Sequence, residues 1–293
     1  MNWDDLRIFL VLARAGTLSA TARIAKLDAT TIARRIVRLE AATGLTLFEH
    51  TAKGQTLTEH GQRLLAHVEA MEAGAESVRA QAEPGAALGG TIRISASEGF
   101  GTWFIAQRLD RFTRAYPGID VDLVASTGFL NPSRREADLA IMLARPRGGP
   151  LVVSKLTDYH LGIYGATSLV AAEPITTIDQ LRGKRLVGYV PDLIYAPELR
   201  YLAEVNETFE ASLRSSSITA QARLIAAGNG FGILPCFLAA LTEGVERILP
   251  RQVTVQRSFW LVVHRDMRRL ARVEAFITWL RAEVAASQKM LLD

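Results

Sequence analysis

Residues 17–40, TLSATARIAKLDATTIARRIVRLE, predict two short helices joined by a tight turn. Thr17 and Asp28 can begin the two helices, because Thr and Asp side chains accept hydrogen bonds from the free backbone N–H groups of a first turn. The second helix has one apolar stripe at helical spacing, formed by Ile32, Ile36 and Leu39. Its opposite face is polar and carries Thr30, Arg34 and Arg38. Such a helix fits a DNA groove, although an ordinary amphipathic helix with solvated arginines has the same pattern.

Further motifs flank this pair of helices in a fixed order. WDDLRIFLVLARAGTLSATA leads into the pair, RLEAATGLTLFEH follows it, and TAKGQTLTEHGQRLL comes next. Together these runs resemble the N-terminal DNA-binding domain of LysR-type transcriptional regulators. The resemblance implies a winged helix-turn-helix domain at 1–58, followed at 59–88 by a linker helix through which two chains form a homodimer.

The resemblance also implies which side chains contact double-stranded DNA. Carried over position by position, the candidates are Ser19, Ala29, Thr30, Thr31, Arg34, Arg35, Arg38, His50 and Lys53. Arg34 is the strongest of them, since a bidentate contact from arginine to a base gives about 1–3 kcal/mol of discrimination. Lys53 lies at the tip of a predicted hairpin of the kind that reaches a minor groove. The alternative is a solvated lysine in a turn. Several positions depart from common family residues, so the resemblance implies no base preference: Ala25, Ala29, Thr30, Ala33 and His50.

One long helix is predicted after Thr58. Its apolar and small residues recur at alternating spacings of three and four: Gly61, Leu64, Val68, Met71, Ala75, Val78 and Ala82. That spacing is typical of a helix that packs on a partner helix, and it predicts a dimer through this helix. The alternative is that the stripe packs against the body of its own chain.

A chain of 293 residues with 49% apolar residues is long enough for two or three compact units. PGAALGG at 84–90 predicts a boundary between domains. Beyond it, strand and helix patterns alternate, which predicts a parallel sheet with helices on both sides.

This second part resembles the effector-binding domain of the same family. The resemblance rests on the runs SRREADLAIMLARP, IAAGNGFGILP and FWLVVHRDMRRLARVEAFITWL. It implies an α/β fold class, with a two-lobed domain at 89–293 that resembles periplasmic solute-binding proteins. Lobe I is expected at about 89–159 and 259–293, and lobe II at about 160–258, so that the chain crosses between lobes near Tyr159 and Ser258.

A cleft between two such lobes binds ligands where strands end beside helix N-termini. The effector-binding candidates are Ser97, Glu98, Gly99, Phe100, Thr127, Tyr189, Ser216 and Ser217. Helix N-termini favour anions, and the resemblance implies a small anionic metabolite held near Ser97 and Ser216. Glu98 would repel an anion, so the chemical class stays open and includes an aromatic, polar or even cationic effector. The serines could also be helix caps that bind no ligand.

Patterns typical of enzymes are missing from the sequence. The five histidines have no HxxxH or HExxH spacing, and the chain has no CxxC pair and no GxSxG run. Gly228 to Gly232 follow a predicted helix and precede a strand, the reverse of a dinucleotide-binding loop. We therefore expect no enzymatic activity, no cofactor and no metal.

Compartment follows from three further observations. The single cysteine, Cys236, fits a reducing environment. The chain does not open on a basic leader with an apolar run, and no apolar stretch approaches the ~20 residues of a membrane helix. We expect a cytoplasmic protein that contacts no membrane.

The function that these observations predict is ligand-responsive transcriptional regulation. The chain would bind double-stranded DNA as a homodimer or homotetramer and sense a small molecule of unspecified class. The alternative is a solute-binding protein or an enzyme on the C-terminal lobes, with the N-terminal head as an ancillary module. The missing signal peptide argues against transport, and the missing catalytic set argues against an enzyme.

Overall fold

The computed structural model describes residues 2–51, 54–82, 88–126, 136–146 and 148–293. Within its longest helix, the side chains of residues 66, 70, 73, 74 and 76–82 are outside this description. The chain divides into two compact units, residues 1–86 and residues 87–293. Four residues named above therefore lie outside the described residues or side chains: Lys53, Val78, Ala82 and Thr127.

The first unit contains four helices and a two-stranded antiparallel hairpin. In chain order they are α1 Trp3–Ala15, α2 Leu18–Ala25, α3 Ala29–Thr43, β1 Phe48–Thr51, β2 Gly54–Leu57 and α4 Glu59–Ala82. Both predicted caps are present. Thr17 Oγ1 accepts from the Ala20 N–H at 3.2 Å, and Asp28 Oδ1 accepts from the Thr31 N–H at 2.7 Å. Because each cap satisfies an otherwise unpaired donor, it fixes where its helix begins.

The core of the first unit lies behind α3. Ile32, Ile36 and Leu39 are buried there, as the helical spacing predicts. Helix α1 packs on them with its own apolar face, and the Phe9 ring lies 5.3 Å from the Phe48 ring of the hairpin. Burial of these side chains turns the polar face of α3 outward.

Helix α4 is attached to this same core. Val68 is fully buried in it, Leu64 packs against it, and an added Cβ at Gly61 would lie 2.2 Å from the Leu47 carbonyl oxygen. The prediction that the whole stripe faces a partner helix is therefore wrong for these three residues, which pack on their own unit. Met71 is 47% exposed and Ala75 is exposed, so they belong to the part of the stripe that stays in solvent.

The second unit is built on one mixed sheet of nine strands. Its strands are β3 Gly89–Ser97, β4 Gly118–Ser126, β5 Leu139–Met142, β6 Leu151–Ala166, β7 Leu186–Gly188, β8 Leu213–Arg214, β9 Phe231–Pro235, β10 Val245–Ile248 and β11 Val255–His264. Their order is β4-β3-β5-β11-β6-β9-β7-β8, and β10 also pairs with β6. Its helices are α5 Glu98–Phe100, α6 Leu109–Ala115, α7 Thr167–Ala172, α8 Tyr201–Val205, α9 Ile218–Ala226, α10 Cys236–Ala239, α11 Ala271–Ala286 and α12 Gln288–Leu292.

Two long antiparallel strands, β6 and β11, join the two ends of this sheet. Strand β11 pairs with β5, so it is tied to β3 and β4, whereas β6 pairs with β9 and β10. At the middle of the pair, Tyr159 lies opposite Arg257, and the register shifts between Phe259 and Trp260. The prediction of a parallel sheet is corrected accordingly. The strands at either end are parallel to a neighbour, but both long strands run antiparallel to theirs.

A helix that crosses a lipid bilayer must be about 20 residues long and predominantly apolar. Among the described residues, no helix is both long enough and apolar enough to cross one.

Candidate functional site

The outward face of α3 is the first candidate site. Ala29, Thr30 and Arg34 are exposed there, and Thr31 and Arg35 lie at its half-buried margin. Among the described residues, Arg34 makes no hydrogen bond or ion pair. The Thr31 hydroxyl and N–H both donate to Asp28, and these hydrogen bonds lower the pKa of the Asp28 carboxyl. The Asp28 carboxylate therefore stays ionised at the N-terminus of α3.

Arg38 has a different environment from Arg34. Its Nε donates to Asp5 Oδ2 at 2.7 Å, and its second guanidinium nitrogen bonds the other oxygen of the same carboxylate. The Asp5 side chain is buried, and its hydrogen bonds raise the pKa of Arg38. Since bidentate arginine–carboxylate pairs fix orientation, this pair holds α1 against α3.

The β1–β2 hairpin lies close to the turn between α1 and α2. Gln55 N–H donates to the Gly16 carbonyl oxygen at 2.8 Å. Gly54 has a φ of +126°, and a Cβ added there would lie 2.4 Å from the same oxygen. Only glycine fits this approach. His50 in β1 and Ser19 in α2 are both exposed. Lys53 lies outside the described residues.

The second candidate site lies where β3 ends and α9 begins. Glu98 accepts from Ser217 Oγ at 2.6 Å and from the Ile218 N–H at 3.0 Å. Ser217 Oγ also accepts from the Ala220 N–H at 3.0 Å, so Ser217 caps α9 as well. A second bridge runs alongside, because Trp103 Nε1 donates to Thr219 Oγ1 at 3.1 Å. The end of β3 and the start of α9 are thus held together by side chains of the protein itself.

A small cavity lies beside this bridge. It brings together six of the predicted effector-binding residues: Ser97, Glu98, Gly99, Phe100, Tyr189 and Ser216. Ser217 is not among its lining residues. The remaining lining residues were missed from the sequence: Leu143, Tyr159, Tyr195, Leu199, Tyr201, Ile218, Pro235, Phe237 and Phe259. Tyr189, Tyr195 and Tyr201 recur every six residues in the segment after β7, and this spacing was the available signal.

Partial or full burial desolvates the hydroxyls of the cavity tyrosines. The Tyr159 ring stacks on Phe259 at 4.2 Å, and its hydroxyl is hydrogen-bonded to that of Tyr201. The rings of Tyr189 and Tyr201 meet edge to face at 5.9 Å. Burial, with a smaller contribution from the Glu98 charge, raises the pKa of Tyr195 to about 12. The hydroxyls therefore stay protonated at neutral pH and can donate or accept hydrogen bonds.

Comparison with protein families gives two matches that together span most of the chain. Residues 3–62 match the model of the bacterial regulatory helix-turn-helix protein, lysR family, and residues 85–285 match the LysR substrate binding domain. Two relatives match along nearly the whole length. The Mau operon transcriptional activator of Paracoccus denitrificans is 28% identical over 268 residues, covering 92% of this chain and 91% of that protein. The HTH-type transcriptional regulator PtxR of Pseudomonas aeruginosa is 26% identical, covering 96% and 92%.

Solved structures give the same architecture. CrgA, a LysR-type transcriptional regulator from Neisseria meningitidis, has a TM-score of 0.60 at 21% identity, covering 97% of this chain and 99% of that one. A full-length OxyR variant from Pseudomonas aeruginosa has a TM-score of 0.72 at 17% identity, covering 96% and 98%. At these identities the likeness concerns the fold. With both family models matched, the chain belongs to the LysR family of bacterial transcriptional regulators, with a helix-turn-helix DNA-binding domain and an effector-binding domain.

Proposed function

We propose that this regulator contacts its operator through the outward face of α3 and through the β1–β2 hairpin. The observation that carries the proposal is the exposed Arg34, which has no hydrogen-bond or ion-pair partner in the described part of the chain, on a helix whose back is buried at Ile32, Ile36 and Leu39. A helix held this way can enter a major groove with its polar face toward the base edges. A gel-shift titration tests the proposal with a DNA duplex taken from the region upstream of the protein's own gene, which the protein is expected to retain. A duplex of shuffled sequence bound with equal affinity would remove the claim of specificity.

The contacts divide by chemistry. We assign base or phosphate contact to Arg34, with Arg35, Thr30 and Thr31 beside it and Ala29 as an apolar neighbour. Ser19, at the start of α2, is assigned to the phosphate backbone, since hydroxyls and helix N-termini contact phosphates. His50 and Lys53 are assigned to the wing. Arg38 becomes a positioning residue, because Asp5 already engages its guanidinium on two nitrogens.

Dimerisation is proposed to use the part of α4 that does not pack on its own unit. Gly61, Leu64 and Val68 pack against the first unit itself, so the apolar surface of α4 that remains exposed begins at Met71. A methionine that is 47% exposed on a helix fits contact with a second copy of this helix, because Met adapts to irregular apolar surfaces. We propose that two chains form a homodimer through this part of α4. A homotetramer would need additional contacts, which we assign to the second unit.

Met71→Glu is expected to shift the chain from dimer toward monomer, since a carboxylate would be desolvated in a helix–helix contact. Sedimentation velocity across a concentration series measures the shift. Gln62→Glu is the matched control: it adds the same charge nine positions earlier, about two and a half helical turns away and so on the opposite side of α4. Unaltered sedimentation of the Met71 variant, or an equal change in both variants, would place the dimer contact elsewhere.

Signal transfer is proposed to work through the two long strands. Lobe I would comprise about 89–159 and 259–293, and lobe II about 160–258, with β6 and β11 bending near Tyr159 and Ser258. Effector binding would change the angle between lobes and hence the spacing of DNA-binding heads in the oligomer. A ligand shifts the equilibrium between two lobe arrangements only if it binds one of them more tightly than the other.

We propose that the protein works in the cytoplasm, where a bacterial regulator meets its promoters. Its role there is proposed to be regulatory and not enzymatic.

A further inference from the structure

The N-terminus of α9 is already occupied by a carboxylate of the chain itself. Both Glu98 oxygens are engaged, one by Ser217 Oγ and one by the Ile218 N–H. The first-turn donors and the positive end of the helix dipole are what an anionic ligand would use. A second anion in this cavity would therefore meet Glu98 at short range and find the donors taken.

The lining of the cavity has one sign of charge. Among the described lining residues, Glu98 is the only carboxylic acid and none is Lys, Arg or His. The other polar lining groups are two serines and four tyrosines, including Tyr189, Tyr195 and Tyr201. The Glu98 charge acts on the hydroxyls of both Tyr189 and Tyr195 and contributes to their raised pKa values, so it faces the same space.

One guanidinium beside this cluster, that of Arg257, is committed to other partners. Arg257 lies with its central carbon 6.0 Å from the Tyr201 ring centre. It forms an ion pair with Glu204, and its Nε donates to the Glu198 carbonyl oxygen at 3.1 Å. Arg257 is thus held outside the lining by its own partners, and its charge reaches the hydroxyls of Tyr159 and Tyr201. It also shows that a cation is accommodated against this aromatic ring.

The size of the cavity limits what can enter. The cavity has a volume of about 20 Å³, which is enough for one water molecule at roughly 10–15 Å³. A ligand of a few heavy atoms therefore needs one lining side chain to move. Tyr195 is 36% exposed, more than any other described lining residue, so the proposal takes Tyr195 as the side chain that moves.

We propose that this cavity binds a small organic cation of the alkylammonium class. Glu98 provides the countercharge, and the tyrosine rings provide the aromatic faces that attract ammonium groups. This proposal rests on the proposed function, because it names the effector class of the same cleft. It leaves the DNA contacts of α3 untouched.

Isothermal titration of the full-length chain tests the class directly. The probes are ethylammonium chloride and tetramethylammonium chloride, each compared with sodium propionate, 1-propanol and sodium chloride at constant ionic strength. Saturable binding of an ammonium probe, with no binding of propionate or propanol, is the expected result. Binding of propionate, of the neutral alcohol alone, or of none of these probes overturns the proposal. A parallel gel shift without any probe keeps the two claims apart, since failure of the chain to bind its operator would count against the proposed function only.

Variants locate the probe. Glu98→Gln removes the charge and is expected to weaken ammonium binding at least about tenfold, about 1.4 kcal/mol. Glu243→Gln is the matched control, because Glu243 is exposed and outside the cavity lining. If thermal melting shows that Glu98→Gln does not fold, Tyr195→Leu serves instead and is also expected to weaken binding. Equal affinity of the folded variants and the control for ammonium would place the binding site elsewhere and overturn the assignment.

Discussion

Arg34→Ala is expected to weaken binding to operator DNA by about 5- to 150-fold, the equivalent of one lost arginine–base pair worth about 1–3 kcal/mol. The reason is geometric. Arg34 is exposed on α3 and has no partner among the described residues, so its full set of donors is available to a base or a phosphate. The loss should fall on specific binding more than on binding to unrelated duplexes if Arg34 reads a base.

Fluorescence anisotropy with a labelled operator duplex at several salt concentrations measures this effect. If Arg34 contacts a phosphate instead, the slope of log K against log salt should become shallower by about one unit, and adding Lys53→Ala should flatten it further. Arg7→Ala is the control with the same charge change, since Arg7 is exposed on α1 and not on α3. Equal losses in the Arg34 and Arg7 variants would mean that only net charge matters, and the assignment of α3 as the reading helix would fall.

Phe259→Ala is expected to lower the free energy of unfolding of the second unit by about 3–5 kcal/mol. Phe259 is buried at the middle of β11, with ring centres 4.2 Å away on both Phe100 and Tyr159. Its removal leaves a void among aromatic rings from both ends of the sheet, and those rings cannot collapse into it without shifting β6. For a unit of this size the melting temperature should fall by about 6–20 °C.

Scanning calorimetry of the full chain measures the change, with the transition of the first unit as an internal reference. Val152→Ala is the control, because Val152 lies on the neighbouring strand β6 but is 40% exposed. A fall of the same size in both variants, or no fall for Phe259→Ala, would show that the aromatic cluster does not hold the two ends of the sheet together.

Local features were predictable from the sequence because they depend on neighbours in the chain. The caps at Thr17 and Asp28 and the buried stripe of α3 need only a side chain and the helical period, and the structure has all of them. The domain that contains them also follows from the ordered motifs after Glu40. Six of the eight effector-site predictions lie around one cavity for a similar reason, since strand ends and helix starts are readable locally.

The remainder depends on which distant residues meet. Arg38 and Asp5 lie 33 positions apart, so no helical period could separate Arg38 from Arg34. The stripe of α4 has a dimer-like spacing, yet what covers Val68 is the chain's own core, and spacing alone does not distinguish the two. The hydrogen bonds from Ser217 and Ile218 to Glu98 also span long distances in the chain, 119 and 120 positions. The antiparallel pairing of β6 with β11 likewise comes from long-range contacts.

The anchoring of α4 makes the head and the first turns of that helix a single lever. Gly61 leaves no space beside Leu47, Val68 is locked in the core, and Glu72 bonds Arg14 of α1 at 2.9 Å. Because these contacts fix α4 to the core behind α3, a rotation of α4 is expected to rotate α3 by the same angle. One extra residue inserted in α4 after Glu72 would rotate the remainder of this helix by about 100° about its axis relative to α3.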